Sequence, residues 1–405
     1  MSWEKVKLGD ITDSCLGKML DQQKNRGEFQ PYLANVNVRW GAFDLENLPQ
    51  MRFEENEQER YGLRYGDLVV CEGGEPGRCA IWKEQSPNMK IQKALHRVRV
   101  HNGLDYRYLY YWFLWAGKRG ALDQYFTGAT IKHMPGQKLK EIVIDKPSIE
   151  IQRRIADTLS AYDNLIENNQ KQIKLLEEAA QRLYKEWFVD LRFPGYETTP
   201  VVDGVPEGWA YKPFSEILDY VRGKSYTSKE LSDTTGVLMA NLKNICSYGG
   251  YNRNAEKRFI GQYKENQMLS AGDVIMGVTD MTQERRLVGH VALVPNIGER
   301  MIFSMDLIKL IPKLTDGLFL YSALHYGGLS KQISPLANGV NVLHLKPEAM
   351  MKIKMLIPCE SVLKQYCRLF SSIIARIEFL QKQCDVAAEA RDRLLPKLMS
   401  GELEV

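Results

Sequence analysis

One passage near the start of the chain is written a second time further along, and in a fixed register. "LANVN" at residues 33–37 returns as "MANLK" at 239–243, and Arg52-Phe53 returns as Arg258-Phe259, both 206 residues on (241 − 35; 258 − 52). Trp3 answers Trp209, Ile11 answers Ile217, Gly17-Lys18 answers Gly223-Lys224, and Gly66-Asp67 answers Gly272-Asp273 at the same offset. Beyond that point the second copy carries about five more residues and the offset becomes 211 (339 − 128): Gly128 matches Gly339, Ile131 matches Val342, and His133 matches His344. Coincidence does not hold one register this long, so the chain contains a duplication. Each copy is about 200 residues, too long for a solenoid repeat, and is therefore a domain in its own right. A chain of 405 residues also exceeds one ordinary core.

Both copies follow one plan. Short β-like runs come first, "LVVCEGG" with "CAIW" in copy one and "DVIMGV" with "HVALVP" in copy two, bounded by Gly, Pro and Asn. A helical run follows, "YRYLYYWFLWAG" or "LFLYSALHYGG", then a glycine-bearing loop, "TGATIKHM" or "ANGVNVLHL", a short strand and a proline. After each proline, apolar residues recur at alternating steps of four and three, a heptad seam. The first seam is Ile155, Leu159, Tyr162, Ile166, Asn169, Ile173, Leu176, Ala180, Leu183 and Trp187. The second, 211 residues on (366 − 155), is Tyr366, Phe370, Ile373, Ile377, Leu380, Cys384, Ala387, Arg391, Leu394 and Leu398. Asn169 and Arg391 dilute the seams, and Pro396 should end the second helix near its position.

Neither seam can stay exposed, and each is the simplest partner of the other. The segment 190–209, rich in Pro, Gly and Thr, reads as a linker. The expected fold is therefore mixed α/β: two like heads joined by two long antiparallel helices, with pseudo-twofold symmetry. Boundaries fall at 1–150 (first head), 151–189 (first helix), 190–207 (linker), 208–360 (second head) and 361–399 (second helix), with a tail to 405.

Bulk properties exclude several classes. No apolar run approaches the ~20 residues of a membrane span. The opening "MSWEKVKLGD" has charges where a signal peptide needs an apolar core. Seven scattered cysteines without a Cys-x-x-Cys pair indicate neither a disulfide framework nor a zinc site, and a reduced cytoplasm is the natural setting. "RGKSY" at 222–226 lacks the glycine a phosphate loop requires, since Leu218 stands in its place. No methyltransferase motif, nuclease cluster or nucleophile–base grouping can be assembled, so no catalytic, cofactor or metal-binding residue is assigned.

Two like heads at fixed spacing resemble the layout of a dimeric DNA-binding protein, whose half-sites lie about one helical turn apart. A net charge of +4 is compatible with local basic faces. The matched residues Lys18, Lys224, Arg52 and Arg258 suit a phosphate or framework role, because base readers should differ between copies that read different half-sites. The unmatched loops are the better candidates for base contact. They supply Arg39 (from 39–52), Arg78 (from 72–78) and Lys132 in copy one. In copy two they supply Tyr251, Arg253, Lys257, Arg285, Arg286 and Asn341, with Asn338 beside it, and Lys243 of the repeated "MANLK" run is a further candidate. His133 and His344 read as structural.

At this point the chain resembles the specificity subunit of type I restriction-modification enzymes. The resemblance is carried by "IADTLSAYDNLIENNQKQIKLLEEAAQRLYKEWFVDLRFPG", by the terminal "RDRLLPKLMSGELEV", and by the two domain openings "SWEKVKLGDI" and "EGWAYKPFSEIL". It implies a non-catalytic chain that recognises a bipartite, asymmetric site on double-stranded DNA. It also implies two methyltransferase subunits and endonuclease-translocase subunits as partners. Those partners would bind the S-adenosylmethionine, ATP and Mg2+ and carry out adenine methylation, translocation and cleavage. The rival expectation from another class is a scaffold whose heads bind protein.

Overall fold

The computed structural model describes residues 3–21, 25–253 and 255–404; Asn254 of the 248–258 loop and Val405 of the tail lie outside them. The chain divides into two compact units, Met1–Asn168 with Gln383–Val405, and Asn169–Lys382. Four helices organise them: α1 (Tyr106–Lys118), α2 (Ile149–Tyr184), α3 (Gly317–His325) and α4 (Glu360–Met399). Both long helices, α2 and α4, are divided between the units.

In the first unit, the two runs that read as strands are joined by two more in a four-stranded antiparallel sheet. Its strands are β1 (Thr12–Leu16), β2 (Leu68–Cys71), β3 (Cys79–Ile81) and β4 (Leu95–Val100), in the order β1-β4-β2-β3. All four residues of β2, "LVVC", are buried, as a central strand covered on both faces requires. One face packs on α1, so that Leu68, Val70 and Val98 share a core with Tyr108, Leu109 and Phe113. The helix starts where it does because the Asp105 carboxylate accepts hydrogen bonds from the backbone N–H groups of Arg107 and Tyr108. The other face packs on a smaller sheet, in which Glu28–Leu33 pairs antiparallel with Gln50–Phe53 and parallel with Lys90–Ile91. A final ladder, Glu4–Lys7 against Val143–Lys146, closes the head.

The second unit repeats this plan element by element. Strands β5 (Leu218–Arg222), β6 (Val274–Gly277), β7 (Val291–Leu293) and β8 (Leu307–Pro312) take the order β5-β8-β6-β7. Asp316 caps α3 through Leu318 N–H, as Asp105 caps α1. Ala210–Pro213 pairs with Lys354–Ile357. The offset between copies is 206 up to β6 (274 − 68), 212 at β7 and β8 (291 − 79; 307 − 95), and 211 from α3 on (317 − 106). The length difference seen in the sequence is thus two events. Six residues are added in the loop between β6 and β7, and one is removed before α3.

Every one of the twenty seam positions is buried or partly buried. Within the first unit, Ile155 and Leu159 of α2 share a core with Leu395, Leu398 and Met399 of α4, and Leu394 packs against it. Further along, Asp163 meets Arg391 and the Ile166 carbonyl accepts from the Cys384 thiol, so the helices run antiparallel. Within the second unit, Tyr184 of α2 and Trp187 of the π-helical turn that continues it (Lys185–Val189) lie against Tyr366 of α4, ring centroids 6.2 and 5.8 Å apart. Each helix plays in one unit the part that its counterpart plays in the other.

The polar intruder Arg391 is compensated locally. Its guanidinium donates to Asp163 at 2.6 Å and to Asp392 at 2.8 Å, and Tyr111 donates its hydroxyl to the same Asp163 at 2.6 Å. Lys118 of α1 completes the network at Asp392. Pro396 does not stop the helix where the sequence suggested; α4 runs one turn further, to Met399. The proline removes one helix hydrogen bond, but Leu395, Leu398 and Met399 are almost fully buried and hold the last turn in place.

Candidate nucleic-acid interface

In each head, the loop after the second sheet strand is stitched to the glycine-bearing loop. In the first unit, Met134 N–H donates to the Glu72 carbonyl at 2.8 Å, and Thr127 and His133 bond each other through both backbone groups (2.7 and 2.9 Å). Gly128 is required at that turn: its φ is +93°, and a Cβ would sit 2.3 Å from the Ile131 carbonyl oxygen. The second unit keeps the scheme. Leu345 N–H donates to the Val278 carbonyl at 2.8 Å, and Asn338 and His344 form the matching pair.

The second copy then adds fixings that the first lacks. Thr279–Asp280 pairs with Leu343–His344, and the Gln283 side chain donates to the Val340 carbonyl at 2.8 Å. Asp280 is fully buried, and its carboxylate accepts from Thr282 N–H and hydroxyl and from Leu287 and Val288 N–H, at 2.6–3.2 Å. Burial pushes its pKa up, but these bonds to Leu287, Thr282 and Val288 outweigh it and hold the carboxyl below the usual range. The loop that gained six residues is therefore ordered from within.

The residues singled out in the sequence fall into two groups. The matched cations are largely used by the fold itself. Lys18 is buried, paired with Glu57 and bonded to the Arg52 carbonyl at 2.9 Å. Arg258 is held by Glu299 at 3.0 Å and by the Gly236 carbonyl at 3.2 Å. Lys224 lies 5.9 Å from the Phe259 ring, and the exposed Arg52 guanidinium lies 4.6 Å from that of Phe29. Lys257 donates to the Tyr226 hydroxyl, and Tyr251 donates to Glu256, both at 2.8 Å.

The loop residues divide by copy. Arg39 bonds the Val36 and Val38 carbonyls, and Arg78 pairs with Glu75 at 2.8 Å while reaching the Asn35 carbonyl at 3.1 Å. Lys132 is exposed, 3.5 Å from Asp123, and lines a groove with Trp40, Glu75 and Phe126. Lys243 is exposed, whereas Arg253 is half-buried in a groove beside Ile173, Tyr321 and Ile377. Arg285, Arg286, Asn338 and Asn341 all lie on the two stitched loops of the second head, with Arg286, Asn338 and Asn341 exposed. His133 and His344 serve through their backbones, as expected of structural residues.

Three residues were not legible as site components: Asp280, Met281 and Val340. Met281 and Val340 are the two most exposed large apolar side chains among the described residues, at 77% and 87%. Among the same residues, no group of three or more His, Cys, Asp or Glu is placed to hold a metal ion, and no helix is long and apolar enough to cross a membrane.

Residues 1–178 match the model for the type I restriction modification DNA specificity domain. The chain is thus similar, beyond that domain, to specificity subunits of type I restriction enzymes. Among its relatives is the type I restriction enzyme MjaIX specificity subunit of Methanocaldococcus jannaschii, 28% identical over 360 residues, which cover 84% of this chain and 78% of that one. The MjaVIII specificity subunit of the same organism is 23% identical over 422 residues, covering 100% of this chain and 93% of the relative. The fold matches the crystal structure of a type I restriction-modification S subunit from M. genitalium, with a TM-score of 0.61 at 16% identity over 98% of this chain and 96% of that one. The first head is thus a DNA-specificity domain of this family, and the second repeats its architecture.

Proposed function

We propose that the two heads read the two halves of an asymmetric, interrupted DNA target. In this reading α2 and α4 fix the number of unread base pairs between the halves. The chain does no chemistry itself and directs methyltransferase subunits, two per complex, and endonuclease-translocase subunits, which carry the S-adenosylmethionine, ATP and Mg2+. One observation carries the reading: a single head architecture occurs twice, with strands and caps kept and the stitched loops rewritten. A shared framework with divergent loops is what two readers of different sequences need. Exposed Arg39, Arg52, Lys132, Lys243 and Arg286 are the cations best placed for phosphate, since Lys18 and Arg258 are already paired.

Salt titration of DNA binding by the complex assembled with its methyltransferase subunits tests this. If six or more phosphates are contacted, affinity for the specific site should fall by roughly a thousandfold or more between 50 and 200 mM salt. A flat response would favour heads that bind protein instead. The spacer can be tested separately. Removing matched heptads from α2 and α4 shortens the pair by about 10 Å at ~1.5 Å per residue. The unread gap should then shrink by roughly three base pairs of ~3.4 Å while both half-sites stay the same. Altered half-sites would refute the spacer role.

A further inference from the structure

Both stitched loops of the second head contribute to an apolar tip, whereas in the first head only the glycine-bearing loop exposes a large apolar side chain, Ile131. Met281 stands directly after the buried Asp280 staple, and Val340 is tied to the same loop through Gln283. At the matched places of the first copy stand Glu75 (281 − 206) and Ala129 (340 − 211). A tip with one apolar side chain from each loop is therefore specific to the copy whose loop gained six residues. Exposed apolar side chains on a mobile tip would be unremarkable. Here the loop is ordered from within by four hydrogen bonds to Asp280 and by the Thr279–Asp280 ladder. The two side chains are thus presented to solvent on a rigid platform, among exposed Asn338, Asn341, Gln283, Glu284 and Arg286.

The occupant follows from the chemistry of that surround, on the reading of the heads as DNA readers. In the major groove, only the thymine 5-methyl group offers an apolar mark. The carboxamides of Asn and Gln are the natural partners of the adenine paired with it. We propose that Met281 and Val340 read a thymine methyl group in the half-site of the second head. Asp280 is then the positioning residue that holds the reading loop in place.

The test uses the assembled complex and DNA in which each thymine of that half-site is replaced, one at a time, by uracil, which lacks only the methyl group. The half-site of the second head is assigned beforehand by exchanging the first head. At one position, uracil should weaken binding by about fourfold, the worth of one buried methyl-sized group. In Met281→Ser/Val340→Ser that uracil penalty should vanish, while unfolding temperature stays the same because both side chains lie in solvent. Indifference to uracil at every thymine, a half-site with no A·T pair, or a penalty that survives in the double variant would overturn the proposal. Those outcomes leave specific DNA binding intact. Absence of any sequence-specific binding by the unaltered complex would overturn the DNA-reading function as well, so the two failures are distinguishable.

Discussion

A chimaera carrying residues 1–150 of a similar specificity subunit should redirect one half of the methylated sequence and leave the other half untouched. The first head is closed by Glu4–Lys7 pairing with Val143–Lys146, so this cut removes a whole sheet system rather than splitting one. Its main core consists of residues from that span together with the ends of α2 and α4, and no residue of the second unit enters it. At ~1–3 kcal/mol per mismatched base pair, three altered positions should discriminate old from new half-site by roughly a hundredfold or more. The donor must respect the points where the head grips the helices. Asp105 N–H is held by Gln152 at 2.9 Å, Arg107 pairs with Asp157 at 2.6 Å, and Tyr111 donates to Asp163. Sequencing methylated adenines in a host carrying the complete system reads the outcome, and a change in both halves would contradict independent heads.

Tyr366→Ala should destabilise the second unit by about 3–5 kcal/mol, the range for removing a buried aromatic ring. Tyr366 is fully buried, stacked on Phe370 with centroids 5.6 Å apart, and edge-on to Phe188 at 4.8 Å. Phe319 of α3 lies 6.0 Å away, so one ring joins both long helices to the head. Leu175→Ala is the control on α2. Leu175 is 64% exposed, and its loss should stay within about 0.5 kcal/mol. Urea unfolding of both variants compares them. Equal midpoints would show that the aromatic cluster is not what fastens α4 to this unit.

Much of this was readable beforehand because it rests on periodicity. The heptad steps from Ile155 and from Tyr366 named twenty positions of two long helical segments, and none of them is exposed. The copy register likewise anticipated the matched strands, the paired loops at His133 and His344, and the equivalent helices. What resisted reading depends on partners distant in sequence. Lys18 looked available because Glu57, which consumes its charge, lies 39 residues away, and the Glu299 that holds Arg258 lies 41 residues away. Arg391 looked like a flaw in a seam until Asp163, 228 residues earlier, came to face it. Asp280 carries no signal at all in "TDMTQERR"; only the closure of the loop onto its carboxylate reveals its role.

The first head is roofed by residues that follow the whole of the second head in the chain, because Leu395, Leu398 and Met399 complete its core. During synthesis, then, the domain made first is the last to be finished. It leaves the ribosome with an uncovered apolar floor beneath Ile155 and Leu159, and must wait through the whole of the second head for its cover. A nonsense codon or frameshift just before Leu395 would therefore strike the amino-terminal head first and spare the second one.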